Sequence, residues 1–147
     1  MPLIAAVDDT VDVEYGQFVL QELAMTRSPL TLPVPAGAWT AVGGAGGLLL
    51  HSAATDHAPA VRIELWDGAP AGDTAEWDEV LDLTCDLAAD VRLQSVTATP
   101  GHHTLPITHP GAHHARIHAG NQRDAGRLGE GSWAEGVERW LIQLWPV

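Results

Sequence analysis

Apolar and polar residues alternate along this chain in short stretches, and the alternation predicts strands. In "VDVEYGQFVLQ", Val11, Val13 and Tyr15 oppose Asp12 and Glu14. The phase changes after Gly16, and Phe18 and Leu20 continue the apolar side, which reads as one strand with a bulge. "VRIELW" sets Val61, Ile63 and Leu65 against Arg62, Glu64 and Trp66. "EVLDLTCDL" sets Leu81, Leu83, Cys85 and Leu87 against Asp82, Thr84 and Asp86. Both have the two-residue period of half-buried strands. Further strands are expected at 47–54, 91–98, 104–108, 113–119 and 138–145. No stretch carries a long helical stripe, although "WAEGVERW" has room for a turn or two. In the closing "WLIQLW", Trp140, Ile142 and Leu144 are the core side, so Leu141 and Trp145 need cover from a loop or another subunit.

About eight short strands punctuated by Gly- and Pro-rich turns predict an all-β, antiparallel β-sandwich. The 147 residues fit a single domain, 1–147, without repeat or linker. Three connections are long, at 22–46, 67–78 and 120–137, and each carries a tryptophan. If every strand reverses the last, these loops and "TPGHH" emerge at one end. That end gathers Trp39, Trp77 and Trp133, the acids Asp73, Glu76, Asp78, Glu130 and Glu135, and His102 and His103; His57, His109, His113 and His114 fall at the other.

Charge narrows the partner. The formal net charge is −12, and all seven positive side chains are arginine. Phosphates would be repelled, so nucleic acid and anionic membrane are disfavoured, and a basic protein or a cation fits better. From Glu64 to Asp90 there are nine carboxylates and no basic residue. The plain account of such a run is a solvated face. The functional alternative is a docking surface for a basic partner, with Asp73, Glu76, Asp78 and Glu79 facing its cations and Trp77 as apolar anchor. Trp39 and Trp133 join that surface, and six tryptophans beside one Phe and one Tyr give the loop positions added weight. A homodimer is compatible with the sequence.

The histidines are concentrated in "HHTLPITHPGAHHARIH", which holds six of the eight. A strand over 104–108 separates its two flanking groups by about 17 Å, beyond one ion's reach. Only a cross-strand pairing of His118 with His102 or His103 would serve a metal, and it lacks Zn-type spacing and a Cys partner. A metal-dependent enzyme at His102, His103 and His118 is therefore the third reading, and solvated turn histidines the plainer one; no cofactor is expected. There is no G-x-S-x-G elbow, P-loop or H-E-x-x-H, and "GGAGG" precedes a strand where a phosphate loop would precede a helix. Cys85, the single cysteine, shares a face with leucines and reads as a buried small hydrophobe. One cysteine and an early acidic run after "MPLIAAV" fit a cytoplasmic protein without signal peptide or membrane span. Binding is thus favoured over catalysis, with a small-molecule or carbohydrate binder using the loop tryptophans as an alternative.

"VEYGQFVLQ" with its Tyr15-x-Gln17-Phe18, the apolar "VRIELW" strand and the closing strand after a hairpin resemble the layout of the competence protein J family, small acidic inhibitors of a DNA nuclease. "EWDEV", "HARIHAG" and "WLIQLWPV" also resemble phrases in small acidic β-sandwich proteins of high-GC bacteria. The resemblance runs through most of the chain in order. It implies a β-sandwich and a nuclease-inhibitor or immunity-type role.

Overall fold

A computed structural model describes residues 2–24, 26–72 and 75–147. Its strands are β1 (Leu3–Thr10), β2 (Gln17–Glu22), β3 (Ala41–Gly44), β4 (Gly47–His51), β5 (Ala58–Trp66), β6 (Glu79–Leu87), β7 (Val91–Ser95), β8 (Pro100–Leu105), β9 (Gly111–Gly120) and β10 (Glu135–Pro146). One turn of 3-10 helix at Pro29–Thr31 and a four-residue helix, α1 (Gln122–Ala125), complete the described elements. The first sheet has the order β1-β5-β10-β9-β6 and the second β3-β4-β2-β7-β8. The fold is the expected all-β sandwich, with ten strands where the pattern predicts about eight.

The inner faces follow the two-residue period. Val61, Ile63 and Leu65, Trp140, Ile142 and Leu144, and Ala115, Ile117 and Ala119 from the first sheet meet Phe18, Leu20, Leu48, Leu50, Val91 and Leu93 from the second. Trp140 and Phe18 join the sheets edge to face, with centroids 5.3 Å apart. Truncating either to Ala removes enough packing to cost about 3–5 kcal/mol. Cys85 and Leu87 lie in the same core. Leu141 and Trp145 face outward and are nevertheless buried, Trp145 beneath the stacked His114 ring and the Arg116 guanidinium. The chain's own side chains cover Trp145, so its burial requires no second subunit.

Four sequence expectations need correction. The stretch 11–20 is not one bulged strand: Tyr15 and Gly16 both have positive φ, 55° and 76°, and Glu14 and Gln17 exchange backbone hydrogen bonds. This is the two-residue I′ hairpin geometry, and it leaves Tyr15 exposed where alternation put it in the core. "WAEGVERW" contributes no helix, because β10 already begins at Glu135. The expected strand 104–108 is the end of β8, which stops at Leu105, and it does not pair with 113–119, because residues 106–110 carry the chain from one sheet to the other. Strict reversal also fails. β10 runs parallel to β5, and β6 has the same direction, as its antiparallel pairing with β9 requires. The 67–78 connection must therefore return along the length of the first sheet, and its described residues 75–78 lie as a strap over the outer face.

The registers define two ends. Thr10, Ala58, Glu79, Gly120 and Glu135 share one end in the first sheet, while Gln17, Ala41 and His51 share it in the second. Residues 11–16, 52–57, 96–99 and 121–134 turn there, and it is called the loop end below.

Both long margins of the sandwich are closed. At one, the Asp9 carboxylate accepts the backbone N–H groups of His102, at 2.9 Å, and His103, at 3.0 Å, joining β1 to β8. At the other, Gly46 N–H donates to Asp86 at 2.9 Å and Ala45 bridges Asp86. Gly43 permits that approach, since a Cβ there would lie 2.3 Å from the Thr84 carbonyl oxygen. Arg27 seals the same margin by binding Glu22 at 3.0 Å and Asp86 at 2.9 Å. Closed margins protect the sheet edges from pairing with another strand.

Candidate functional site

Three turns at the loop end build a notch. The hairpin 14–17 supplies Glu14 and Tyr15, the 52–57 turn supplies Thr55 and Asp56, and the 121–134 connection supplies Glu130 and Trp133. The notch encloses about 360 Å³. Its walls are tied together by the backbone. Gly16 N–H donates to Thr55 O at 3.1 Å, Ser52 N–H to Gly16 O at 2.7 Å and Trp133 N–H to Asp56 O at 3.3 Å. The Asp56 carboxylate accepts Gly131 N–H at 3.0 Å. Tyr15 is 82% and Trp133 48% exposed. Glu14 is held ionised below the usual carboxylate range by hydrogen bonds, first from Thr97, whose hydroxyl lies 2.6 Å away.

The other residues singled out by sequence are distributed around this end and along the strap. Trp39 stacks on His51 at 4.9 Å, and its carbonyl faces His51 Nδ1 at 3.1 Å. Trp77 lies on the outer face of the first sheet, with the Arg139 guanidinium 4.3 Å from its centroid and the His118 ring at 5.3 Å. Its ring is close enough to Gly120 that a Cβ there would meet Cε3 at 3.1 Å. Glu76 is exposed, and its carbonyl accepts from Arg139 at 2.9 Å. Asp78 accepts Gln122 N–H at 2.8 Å, and Glu79 accepts the Thr40 hydroxyl. Asp73 lies outside the described residues. Trp133 enters the notch, whereas Trp77, Asp78 and Glu79 have intramolecular partners along the strap.

A second concavity, of about 330 Å³, lies beside Trp77 and is lined by Asp8, Arg62, Glu64, Arg139 and Leu141, among others. Three of its charges pair with one another, Arg62 reaching Asp8 at 2.9 Å and Glu64 at 2.8 Å. Burial pushes the Glu64 pKa up, but donors from Arg62, Gln143 and Trp66 outweigh it and hold the carboxyl below its ordinary value.

The histidines do not assemble. His118 is buried between β6 and β10 on the outer face of the first sheet, with Nδ1 3.1 Å from Leu141 O. His102 and His103 are exposed on β8 of the other sheet. The predicted cross-strand pairing fails because β8 pairs with β7, and among the described residues no group of three or more His, Cys, Asp or Glu could hold a metal. His57 also changes ends. It sits at the loop end, fully buried, with Nε2 2.6 Å from the Ser52 hydroxyl. That hydroxyl donates to Glu138 at 2.7 Å, and Glu138 further accepts Trp140 Nε1–H at 2.7 Å and Ala53 N–H at 2.9 Å. Ser52, His57 and Glu138 thus form a buried network beneath the notch. The Ser52 hydroxyl is itself buried, with the Glu138 carboxylate as its acceptor.

Sequence reasoning missed Tyr15, Glu14 and Asp56 as companions of Trp133. The Tyr-Gly pair at 15–16 was the available turn signal. Nothing in the spacing links Glu14 to residues more than forty positions away.

No protein-family model matches the chain, and no curated protein matches its sequence. Solved structures do match its shape. The product of crocagin biosynthetic gene J is 16% identical at a TM-score of 0.59, covering 97% of this chain and 99% of its own. ComJ of Bacillus subtilis, described as the inhibitor of the DNA-degrading activity of NucA, is 8% identical at a TM-score of 0.56, covering 99% of this chain and 98% of its own. From end to end, then, the chain has the sandwich fold found in ComJ and in the crocagin protein, as its sequence resemblance to the competence protein J family implies.

Proposed function

We propose that this protein acts by binding, as an inhibitor or immunity-type partner of a basic enzyme such as a nuclease, and that the loop end is its contact surface. The observation that carries the reading is the exposure of Tyr15 and Trp133 among Glu14, Asp56 and Glu130 on turns braced by backbone hydrogen bonds. Large aromatics left in water on a rigid acidic rim are the composition of an anchor with electrostatic steering. Full-length likeness to a nuclease inhibitor supports the same class of action. With both margins closed, strand addition is disfavoured and the turns remain the available contact. Glu76, Asp78 and Glu79, with Trp77, extend the acidic surface along the strap, Trp39 adds to it beside His51, and Asp73 is assigned to the same contact, so that together they mimic the charge of a polyphosphate chain opposite an enzyme cleft. A cytoplasmic, single-domain protein is the setting we infer; among the described residues no helix is long and apolar enough to cross a membrane.

The test is capture of partners by the purified protein at low and high salt. Basic partners should bind at low ionic strength and weaken as the Debye length falls to about 8 Å near physiological salt. Capture of acidic partners alone, or capture indifferent to salt, overturns the reading.

The concavity beside Trp77 favours a second reading, a small-molecule or carbohydrate site. Glycans should then shift tryptophan fluorescence in the native protein and not in Trp77→Ala. Absence of any shift across a broad panel removes that alternative.

A further inference from the structure

Within the loop end, the geometry points to a specific occupant for the notch: we propose that it receives an arginine side chain of the partner protein. This rests on the binding reading above and adds the chemistry of its central contact. Three carboxylates, Glu14, Asp56 and Glu130, line the notch together with the rings of Tyr15 and Trp133, and no cationic side chain lines it.

Both aromatics occupy backbone positions that bulky residues rarely adopt, with φ of 55° at Tyr15 and 51° at Trp133. Glycine would relieve each position, yet the chain places a large exposed ring at both. Of the four described non-glycine residues with positive φ, these are the two aromatic ones. Strain of this kind marks positions where the side chain has a use beyond folding.

The occupant follows from matching surfaces. A cation is required by the three carboxylates and by the chain's net charge of −12. A flat cation is favoured by two aromatic rings, because a guanidinium can stack on a ring face while its N–H fork meets a carboxylate in bidentate fashion. Lysine offers a compact, strongly hydrated point charge and would use the rings less well. Arginine also fits the notch's modest size, which admits one side chain and not a folded segment. Asp56 already accepts Gly131 N–H. Glu130, exposed on the rim, is therefore the residue best placed to make the bidentate contact.

The test uses the full chain, labelled with ¹⁵N and titrated with the peptide acetyl-Gly-Arg-Gly-Arg-Gly-amide. Saturable shifts are expected at Gly16, Gly131 and the Trp133 indole N–H. The lysine analogue should bind several-fold more weakly, and the citrulline analogue, which keeps the shape but lacks the charge, should not bind. Tyr15→Gly and Trp133→Gly suit the local φ and so retain the fold; each should weaken the arginine peptide roughly three-fold or more. Glu130→Gln should do the same and reduce the salt dependence. Shifts confined to other surfaces, equal shifts with citrulline, or variants that bind like the native protein overturn the arginine notch. If basic partners are still captured in a salt-sensitive way by those variants, the notch fails while the binding reading stands. If no basic partner is captured at all, the binding reading fails, and the peptide titration judges the notch alone.

Discussion

Glu138 is the side chain whose removal should be felt most sharply at the loop end. It is fully buried, and it is the acceptor for the Ser52 hydroxyl and Trp140 indole through one oxygen and for Ala53 N–H through the other. Glu138→Ala strands the Trp140 indole N–H in the core, leaves the buried Ser52 hydroxyl only His57 beside it, and frees Ala53 N–H at the exposed turn. At about 1–3 kcal/mol for each buried unsatisfied donor, reduced where water enters the vacated space, the expected loss is about 3–5 kcal/mol. For a chain of this length that corresponds to a fall in Tm of about 10–20 °C. Glu138→Gln is the informative partner. Its carbonyl can keep Ser52 and Trp140, while its amide opposes Ala53 N–H, so one bond of three is lost and about 1–2 kcal/mol with it. Urea unfolding followed by tryptophan fluorescence separates the two variants. A loss below about 1 kcal/mol in Glu138→Ala would refute the claim that this carboxylate organises the interior beneath the notch.

The same network sets a pH dependence, because burial holds the His57 pKa below its ordinary 6.5 against the opposing pull of Glu138 and Asp56. The unfolded chain then binds a proton that the folded chain refuses, so stability is complete above about pH 6.5 and falls below it, by at most about 1.4 kcal/mol per pH unit. Urea midpoints between pH 7.5 and 5 should show that slope in the native protein, and His57→Gln should flatten it. Gly43→Ala should cost about 1–3 kcal/mol or more, because its Cβ meets the Thr84 carbonyl across the closed margin, whereas Gly72→Ala, with nothing within 4 Å, should be neutral in the same denaturation series. The Cys85 thiol, pushed up to about 12 by burial and then by Asp86, should resist a thiol-specific disulfide reagent in the native protein and react at once in urea.

Strands whose inner and outer faces meet different solvents were readable from alternation, as Val61, Ile63 and Leu65 illustrate. β1 was not, because "LIAAVDDT" is partly exposed on both faces and so carries no contrast. β3 is four residues long and half glycine, chosen for close approach to Thr84 and not for hydrophobicity. The pairing of 104–108 with 113–119 looked natural because Leu105 and Ile107 in one and Ala115 and Ile117 in the other are each apolar on one face. Facing a shared core from opposite sheets satisfies that pattern equally well, and local sequence does not distinguish the two. Tyr15 shows the limit most clearly: its alternation put it in the core, while the following Gly16 made the turn that turned its ring outward. Trp133 was identified from its long loop, but the carboxylates around it come from turns far apart in sequence and become neighbours only through the fold.

The most direct test is the footprint of a captured basic partner on this chain, measured by amide hydrogen exchange in the free and bound states. Protection is predicted at residues 14–17, 54–57 and 129–134, with little change at 88–90 and 106–114 at the opposite end. Protection centred on that opposite end or on the outer face of either sheet, with the three turns unchanged, would contradict it.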